Sequence, residues 1–165
     1  NWSEDYILRV DYEAQKRLVE SAADLLRASH GRIVFLTSSQ AKKFIEGHEH
    51  YGQAKKEAEN WLKGFSKKEE NKNIHIFLVN PGHVDTRMSE EAINYGVQKI
   101  RERSLDAKNA GKFRNPKVIG RIISRMSISG NSFNAKTNQY DIPIPTNEIV
   151  VISDENVKFE SEAHD

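Results

Sequence analysis

The sequence predicts an α/β domain built around a short parallel sheet. Two apolar runs, residues 32–37 and 74–79, show the continuous pattern of strands that are buried on both faces. A predicted amphipathic helix, residues 51–68, separates them. Because two parallel strands need a long crossover connection, this strand–helix–strand order indicates a right-handed βαβ unit.

Two further helices flank this unit in the sequence. Residues 3–29 are predicted to form one long amphipathic helix, whose apolar face contains Leu18, Val19, Ala22, Leu25 and Leu26. Asn115-Pro116 introduces a third helix, residues 117–129, with proline in its first turn.

The remaining segments are more polar. Residues 88–112 hold too few apolar side chains to be core, and we interpret them as a mobile flap. A turn-rich loop at 129–138 and an extended stretch at 140–145 precede a third strand, residues 148–152. Residues 1–152 therefore form one domain, and residues 153–165 are predicted to be an acidic, frayed tail.

Composition excludes several classes of function. The 165 residues include 25 Lys and Arg against 24 Asp and Glu, so net charge gives no reason to expect nucleic acid or an anionic membrane as a partner. No apolar run approaches the roughly 20 residues that span a bilayer. The absence of cysteine excludes disulfides, thiolate catalysis and cysteine-bound zinc, and we expect a cytoplasmic protein.

The candidate catalytic residues lie between the first strand and the following helix. Ser38 closes the 32–37 strand, Tyr51 opens the helix thirteen residues later, and Lys55 follows one turn on. A phenol has a pKa near 10, and an ammonium group about 5–6 Å away favours its ionised form. Together with a serine hydroxyl, these groups suit proton transfer to or from an alcohol or carbonyl oxygen.

Other polar clusters are weaker candidates. His48-Glu49-His50 contains metal-ligating residue types, but no motif places a third ligand, and a solvated loop is favoured. His83 could contact a substrate or be a half-exposed loop residue, and His75 is expected to be a satisfied core histidine. A serine-hydrolase role for Ser38 would need a Gly-x-Ser-x-Gly turn, which the sequence lacks.

Three motifs together resemble the short-chain dehydrogenase/reductase family. They are Ser38, the run Tyr51-Gly-Gln-Ala-Lys55, and the run Asn80-Pro81-Gly82-His83-Val84-Asp85-Thr86. Their order, the spacing from Ser38 to Tyr51 and their positions on strands and helix all match the family pattern. The resemblance covers about residues 2–152 and implies a Rossmann-like, doubly wound parallel sheet.

The resemblance also implies an activity, which is NAD(P)-dependent interconversion of a carbonyl and an alcohol by hydride transfer. Ser38 would orient the substrate carbonyl and Tyr51 would act as acid or base. Lys55 would bind the nicotinamide ribose and lower the pKa of Tyr51. The residues expected to line the nicotinamide are Pro81, Gly82, Val84 and Thr86. NADP is slightly favoured over NAD, the substrate is a small carbonyl or alcohol, and the flap would cover it.

Two features depart from the family pattern. Asp11 stands where the family usually has an asparagine that completes a proton relay, so Asp11 is a secondary catalytic candidate. The glycine-rich dinucleotide turn is absent from the sequence. By resemblance the chain corresponds to the carboxyl-terminal part of such a domain, and we expect these residues alone to be inactive.

These departures lead to two expectations about partners and function. Residues preceding this chain, or another chain, should pair with the 32–37 strand, because a parallel sheet leaves few open edges. Charged outer helix faces weigh against a hydrophobic helix-bundle interface, so a monomer is possible. The alternative to an enzyme is a non-catalytic domain of the same fold that serves assembly or regulation.

Overall fold

The computed structural model of the protein describes residues 3–129, 131–134, 139–143, 150–152 and 159–160. The described strands are β1 (Arg32–Leu36), β2 (His75–Val79), β3 (Asn131–Asn134), β4 (Gln139–Pro143), β5 (Val150–Ile152) and β6 (Phe159–Glu160). Strands β1, β2 and β5 are parallel neighbours in that order, and β6 is antiparallel to β5. Strands β3 and β4 form a separate antiparallel pair. The predicted parallel strand pair is confirmed.

Five helices surround the main sheet in the described part of the chain. They are α1 (residues 4–28), α2 (Glu49–Ser66), α3 (Arg87–Tyr95), α4 (Gln98–Asn109) and α5 (Pro116–Ser129). Helices α1 and α2 pack together on one side of the sheet, while α5 contacts β1. The core between α1, α2 and the sheet is built from large apolar side chains that include Phe35, Leu62, Phe65, Ile74, Ile76 and Leu78.

Helix α1 contains a π-helical turn that the sequence did not predict. Residues Glu4–Leu8 and Ala14–Ala28 are α-helical, and Arg9–Glu13 between them form a π-helix. Ser3 caps the start of the helix by accepting a hydrogen bond from the Tyr6 amide at 3.2 Å. Such π-turns are rare and occur frequently at functional sites. This one contains Asp11.

The apolar face predicted for α1 is only partly buried. Val19 and Leu26 pack against the core, but Leu18 and Leu25 are 71% and 72% exposed. Leu18 and Leu25, two of the five residues predicted to share one apolar face, are therefore not covered by the described part of the chain. Leu18 and Leu25 lie seven residues apart, which is two helical turns, so they form a second apolar stripe on the outer side of α1.

The predicted flap segment consists of two helices. Residues 88–112 fall within or beside α3 and α4, and Ser104 and Ala107 of α4 are buried. The expectation that this segment contributes nothing to the buried interior is therefore wrong. Residues 131–134, predicted as loop, form β3 instead. Of the predicted tail, only Phe159–Glu160 is described, and it forms β6.

The outer edge of β1 remains open among the residues that the structure describes. In the sheet order β1 stands at one end, with only β2 beside it. Leu36, near the carboxyl end of β1, is 45% exposed. The expectation that another segment or chain pairs with this edge stays a prediction. In the described part of the chain, no helix is both long and apolar enough to cross a membrane.

Candidate active site

Ser38 lies immediately after β1, at the carboxyl edge of the sheet. The amide of Thr37 donates to the Val79 carbonyl at 2.9 Å, which continues the pairing of β1 and β2 to the residue before Ser38. The Thr37 hydroxyl donates to Glu59 Oε1 on α2. Ser38 has extended backbone angles, and its Oγ accepts from the Gln40 amide at 3.2 Å. These bonds fix the position of the Ser38 hydroxyl.

Tyr51 and Lys55 lie on the first two turns of α2, facing the strand end. The Tyr51 phenol is hydrogen-bonded to Ser38. Lys55 is buried, at 7% exposure, and its Nζ lies 5.6 Å from the centre of the Tyr51 ring. The structure therefore brings together all three residues of the predicted catalytic set. Their catalytic role itself remains a prediction.

Asp11 joins this group through the π-turn of α1. Its Oδ1 lies 2.9 Å from Lys55 Nζ, which makes a largely buried ion pair between α1 and α2. By resemblance Asp11 stands at the relay position, and in the structure its carboxylate contacts the Lys55 ammonium group directly. The Lys55 ammonium group is therefore paired with a carboxylate of the neighbouring helix.

The electrostatics of Tyr51 differ from what the resemblance implied. Burial raises the pKa of Tyr51 above its ordinary value, the negative charge of Asp11 raises it further, and the hydrogen bond from Ser38 lowers it. Lys55 was expected to lower this pKa. The net direction is upward, with burial as the largest cause. The phenol therefore stays protonated to a higher pH than an exposed tyrosine does.

His48, which was expected to lie in a solvated loop rather than to bind a metal, is a neighbour of Tyr51. Its ring lies 5.0 Å from the Tyr51 ring, centre to centre, and Nδ1 is 2.9 Å from Gln40 Oε1. Burial lowers the pKa of His48, although Glu49 and Asp11 oppose this shift. No group of three potential metal ligands occurs among the described residues. The His48 ring instead packs beside the Tyr51 ring.

The Pro-Gly turn follows β2 at the same edge of the sheet. Gly82 has a φ of 66°, a conformation that glycine adopts without strain, and its amide donates to Asn80 Oδ1 at 3.1 Å. The Thr86 hydroxyl donates to the Val84 carbonyl at 3.4 Å. Since Leu36 and Val79 are paired in the register, this turn and Ser38 follow neighbouring strand ends. The turn that begins the predicted nicotinamide-lining residues Pro81, Gly82, Val84 and Thr86 thus leaves the sheet at the same edge as Ser38, and their role in binding a cofactor stays a prediction.

A large cavity, which we call the flap cavity, lies next to this edge. It has a volume of about 1310 Å³ and is bounded by loop residues 43–46, α4, residues 110–115 and α5. His83 enters its wall and stacks on Phe113 with the ring centres 5.6 Å apart. The cavity thus connects the Pro-Gly turn with the flap helices.

Gly52 allows α2 to approach the loop that follows Ser38. A methyl group at Gly52 would lie 2.7 Å from both the Gln40 carbonyl oxygen and Phe44 Cδ1. We expect Gly52→Ala to lower the free energy of unfolding by about 1–3 kcal/mol, because the loop must move away from the helix. Denaturant unfolding monitored by circular dichroism measures this change.

Gly64 provides the matched control on the same helix. A methyl group there would meet no atom within 4 Å. Gly64→Ala is therefore expected to stabilise the protein by up to about 1 kcal/mol through helix propensity. Equal effects of the two substitutions would contradict the close approach at Gly52.

Two residues near the site were missed by the sequence analysis. Glu59 is one helical turn beyond Lys55, and the spacing of Tyr51, Lys55 and Glu59 could have identified it as a third polar group on the same face. Arg103 of α4 donates from Nη2 to Ser39 Oγ at 2.9 Å. No local pattern signals that contact, because the two residues are far apart in the sequence.

The fold and the arrangement of these residues define an α/β protein of Rossmann type, and sequence comparison identifies its family. A family profile described as enoyl-(acyl carrier protein) reductase matches residues 3–133. The chain belongs to the short-chain dehydrogenase/reductase family. None of the curated proteins matches it significantly.

Solved structures support the same fold. The KRED1-Pglu enzyme is 21% identical with a TM-score of 0.71, over 77% of this chain and 54% of its own. The short-chain dehydrogenase/reductase YIR035C from Saccharomyces cerevisiae is 14% identical with a TM-score of 0.70, and the match covers 90% of this chain and 56% of that protein. The angucycline C-6 ketoreductase LanV, with bound NADP, is 19% identical with a TM-score of 0.57, and the match covers 87% of this chain and 50% of that protein. The chain spans about half the length of these proteins.

Proposed function

We propose that this chain carries the catalytic residues of a NAD(P)-dependent oxidoreductase that interconverts a carbonyl and an alcohol. The observation that carries the proposal is the grouping of three side chains: Lys55 Nζ lies 5.6 Å from the centre of the Tyr51 ring, and Ser38 lowers the pKa of the same phenol through a hydrogen bond. Family membership supports the reaction class. This set lies at the carboxyl edge of a parallel sheet, where open α/β folds bind their ligands.

Each residue has a defined role in the proposed reaction. Ser38 donates a hydrogen bond to the substrate carbonyl and orients it toward the phenol. Tyr51 transfers its proton to the carbonyl oxygen during reduction and takes it back during oxidation. Since the pKa of Tyr51 is raised, the phenol keeps its proton to a higher pH, and the proton stays available for reduction in alkaline solution.

A nicotinamide dinucleotide would supply or accept the hydride. The residues present fit its nicotinamide end, because the Pro81-Gly82 turn follows the strand beside the one that Ser38 closes, and Gly82, with a φ of 66°, carries no side chain. Lys55 would hold the ribose, and Val84 and Thr86 would line the ring. The described residues include no glycine-rich turn for the pyrophosphate. NADP is slightly favoured over NAD, and the NADP in the LanV structure is consistent with this.

A second candidate is a non-catalytic domain of this fold, used for assembly or regulation. It is favoured by the ion pair of Asp11 and Lys55, which occupies the ammonium group proposed to bind the ribose. Helix α1 also presents Leu18 and Leu25 to solvent, which a partner protein could cover.

Cofactor binding separates the two candidates. We expect NADPH or NADH fluorescence to change on addition of the protein, provided that the chain is supplied with the segment that completes its sheet. A panel of aldehydes, ketones and dicarbonyls should then oxidise NADPH in a protein-dependent way. Binding of neither nucleotide by the completed sheet would exclude the oxidoreductase and favour the non-catalytic domain.

A further inference from the structure

Arg103 connects the flap to the catalytic strand end. Its guanidinium donates from Nη2 to Ser39 Oγ at 2.9 Å, and Ser39 is the neighbour of Ser38. The side chain is half-buried and lines the flap cavity. Within the described part of the chain, no carboxylate forms an ion pair with it, whereas Arg27 is paired with two carboxylates and Arg87 with one.

The surroundings of Arg103 suit a small anionic organic molecule. Apolar walls are provided by Phe44, Ile45, Phe113 and Ile119. Basic side chains outnumber acidic ones in the lining of this cavity. The basic residues are Lys43, Lys99, Arg103, Lys112 and Arg114, and the acidic residues are Glu46, Glu102 and Asp106. An apolar cavity with a few convergent polar groups is the usual form of a small-molecule site.

The geometry places this cation near the proposed carbonyl site. Ser39 is the residue after Ser38, and consecutive Cα atoms are about 3.8 Å apart, so the contact of Arg103 lies one residue along the backbone from the proposed carbonyl site. A guanidinium has five N–H donors in a planar fork, and the structure shows one of them used on Ser39. The remaining donors match the two oxygens of a carboxylate.

We propose that Arg103 binds the carboxylate of the substrate, which is therefore an oxo acid whose carbonyl lies between Ser38 and Tyr51. A carboxylate is favoured over a phosphate because Glu102 and Asp106 line the same cavity and would repel a dianion more strongly. The position of the carbonyl between Ser38 and Tyr51 rests on the proposed function, whereas binding of the carboxylate by Arg103, which we call the carboxylate half of the inference, does not depend on it. Arg103 is then a specificity-determining residue supplied by the flap.

Binding without cofactor or turnover tests the carboxylate half. The probes are 2-, 3- and 4-oxopentanoate and their methyl esters, titrated into ¹⁵N-labelled protein and followed by the Arg Nε–Hε resonances. We expect at least one acid to bind ten-fold or more tightly than its ester and to shift the Arg103 signal. Equal binding of every acid and ester, or no binding of any acid, would overturn the proposal even if no variant folds.

Substitutions test whether Arg103 itself binds the acid. Arg103→Met should weaken binding of the acid about ten-fold and leave the ester unchanged, while Arg103→Lys should retain part of the affinity because it keeps the charge but loses the fork. Arg101→Met, at an exposed position of α4, is the control and should bind like the unaltered protein. A similar loss in the control, or displacement of the acid by nicotinamide mononucleotide, would contradict the assignment.

Two outcomes separate this inference from the proposed function. If Arg103-dependent binding of an acid occurs but neither nucleotide binds the completed sheet, the reaction class is wrong and the anion site stands. If ketones are reduced in a Tyr51-dependent way but acid and ester have the same kcat/KM, the oxo-acid substrate is wrong and the reaction class stands.

Discussion

Tyr51→Phe is expected to lower kcat for carbonyl reduction by about 10²–10⁴-fold, because it removes the proposed proton donor and leaves the ring in place. Binding of NADPH should change little, since the substitution removes only a hydroxyl. Steady-state NADPH oxidation with a reactive ketone, combined with a fluorescence titration of the nucleotide, measures both quantities in the completed protein.

The control for this substitution is Tyr95→Phe. Tyr95 is the last residue of α3 and is 85% exposed, so its hydroxyl has no role in the proposed site. The Tyr51 variant should remain folded, because it loses one hydrogen bond to Ser38, which contributes about 1 kcal/mol. A Tyr51→Phe protein with more than a tenth of the original kcat would show that another group supplies the proton.

Lys55→Met is expected to lower the free energy of unfolding by about 3 kcal/mol, the lower end of the cost of breaking a buried ion pair. It leaves the Asp11 carboxylate without its partner at 2.9 Å, with 23% of the side chain exposed to water. Urea denaturation measures the change. Lys56→Met, at the exposed neighbouring position, is the control and should cost no more than about 1 kcal/mol, since it removes only a cation–π contact with Phe44.

Asp11→Asn completes a double-mutant cycle with Lys55→Met. The asparagine keeps an oxygen that can accept from Lys55, so the single change should cost only about 1 kcal/mol. In the double variant no charge is left unpaired, and the loss should be smaller than the sum of the two single losses. Simple additivity would show that the ion pair contributes nothing to stability.

The same Asp11→Asn variant should change the dependence of activity on pH. Asp11 contributes to the raised pKa of Tyr51, so removing its charge lowers that pKa. Reduction requires the protonated phenol and declines above the pKa, whereas oxidation requires the phenolate and increases through it. Both transitions should therefore move to lower pH. Profiles of kcat/KM against pH that remain in place would exclude Asp11 as the cause.

Local sequence patterns predicted the central part of the fold well. The runs at 32–37 and 74–79 differ by only one residue at one end from β1 and β2, because strands buried on both faces are continuously apolar. The grouping of Ser38, Tyr51 and Lys55 followed from the strand end and the four-residue spacing along one helix. These features depend on residues that are close in the sequence.

Features that depend on distant residues were not predictable in this way. The exposure of Leu18 and Leu25 depends on what packs around α1, and periodicity alone does not reveal it. The charges of 88–112 suggested a mobile flap, but small residues such as Ala107 allow α4 to pack closely despite them. The contact of Arg103 with Ser39 joins residues 64 positions apart. Only the folded chain shows such pairs.

The π-turn at Arg9–Glu13 also determines which changes in length α1 can accept. A π-turn holds one more residue than the corresponding α-helical turn, and each helical residue adds about 100° of rotation. Deleting one residue there would restore a regular helix and keep its two halves in nearly the same rotational phase, because the turn already accommodates the extra residue. Ala23 and Leu26 would therefore stay in the core, and the effect would fall on the Asp11–Lys55 pair. A single-residue deletion in this turn should consequently be better tolerated than one within Ala14–Ala28, where it would rotate one half of α1 relative to the other by about 100°.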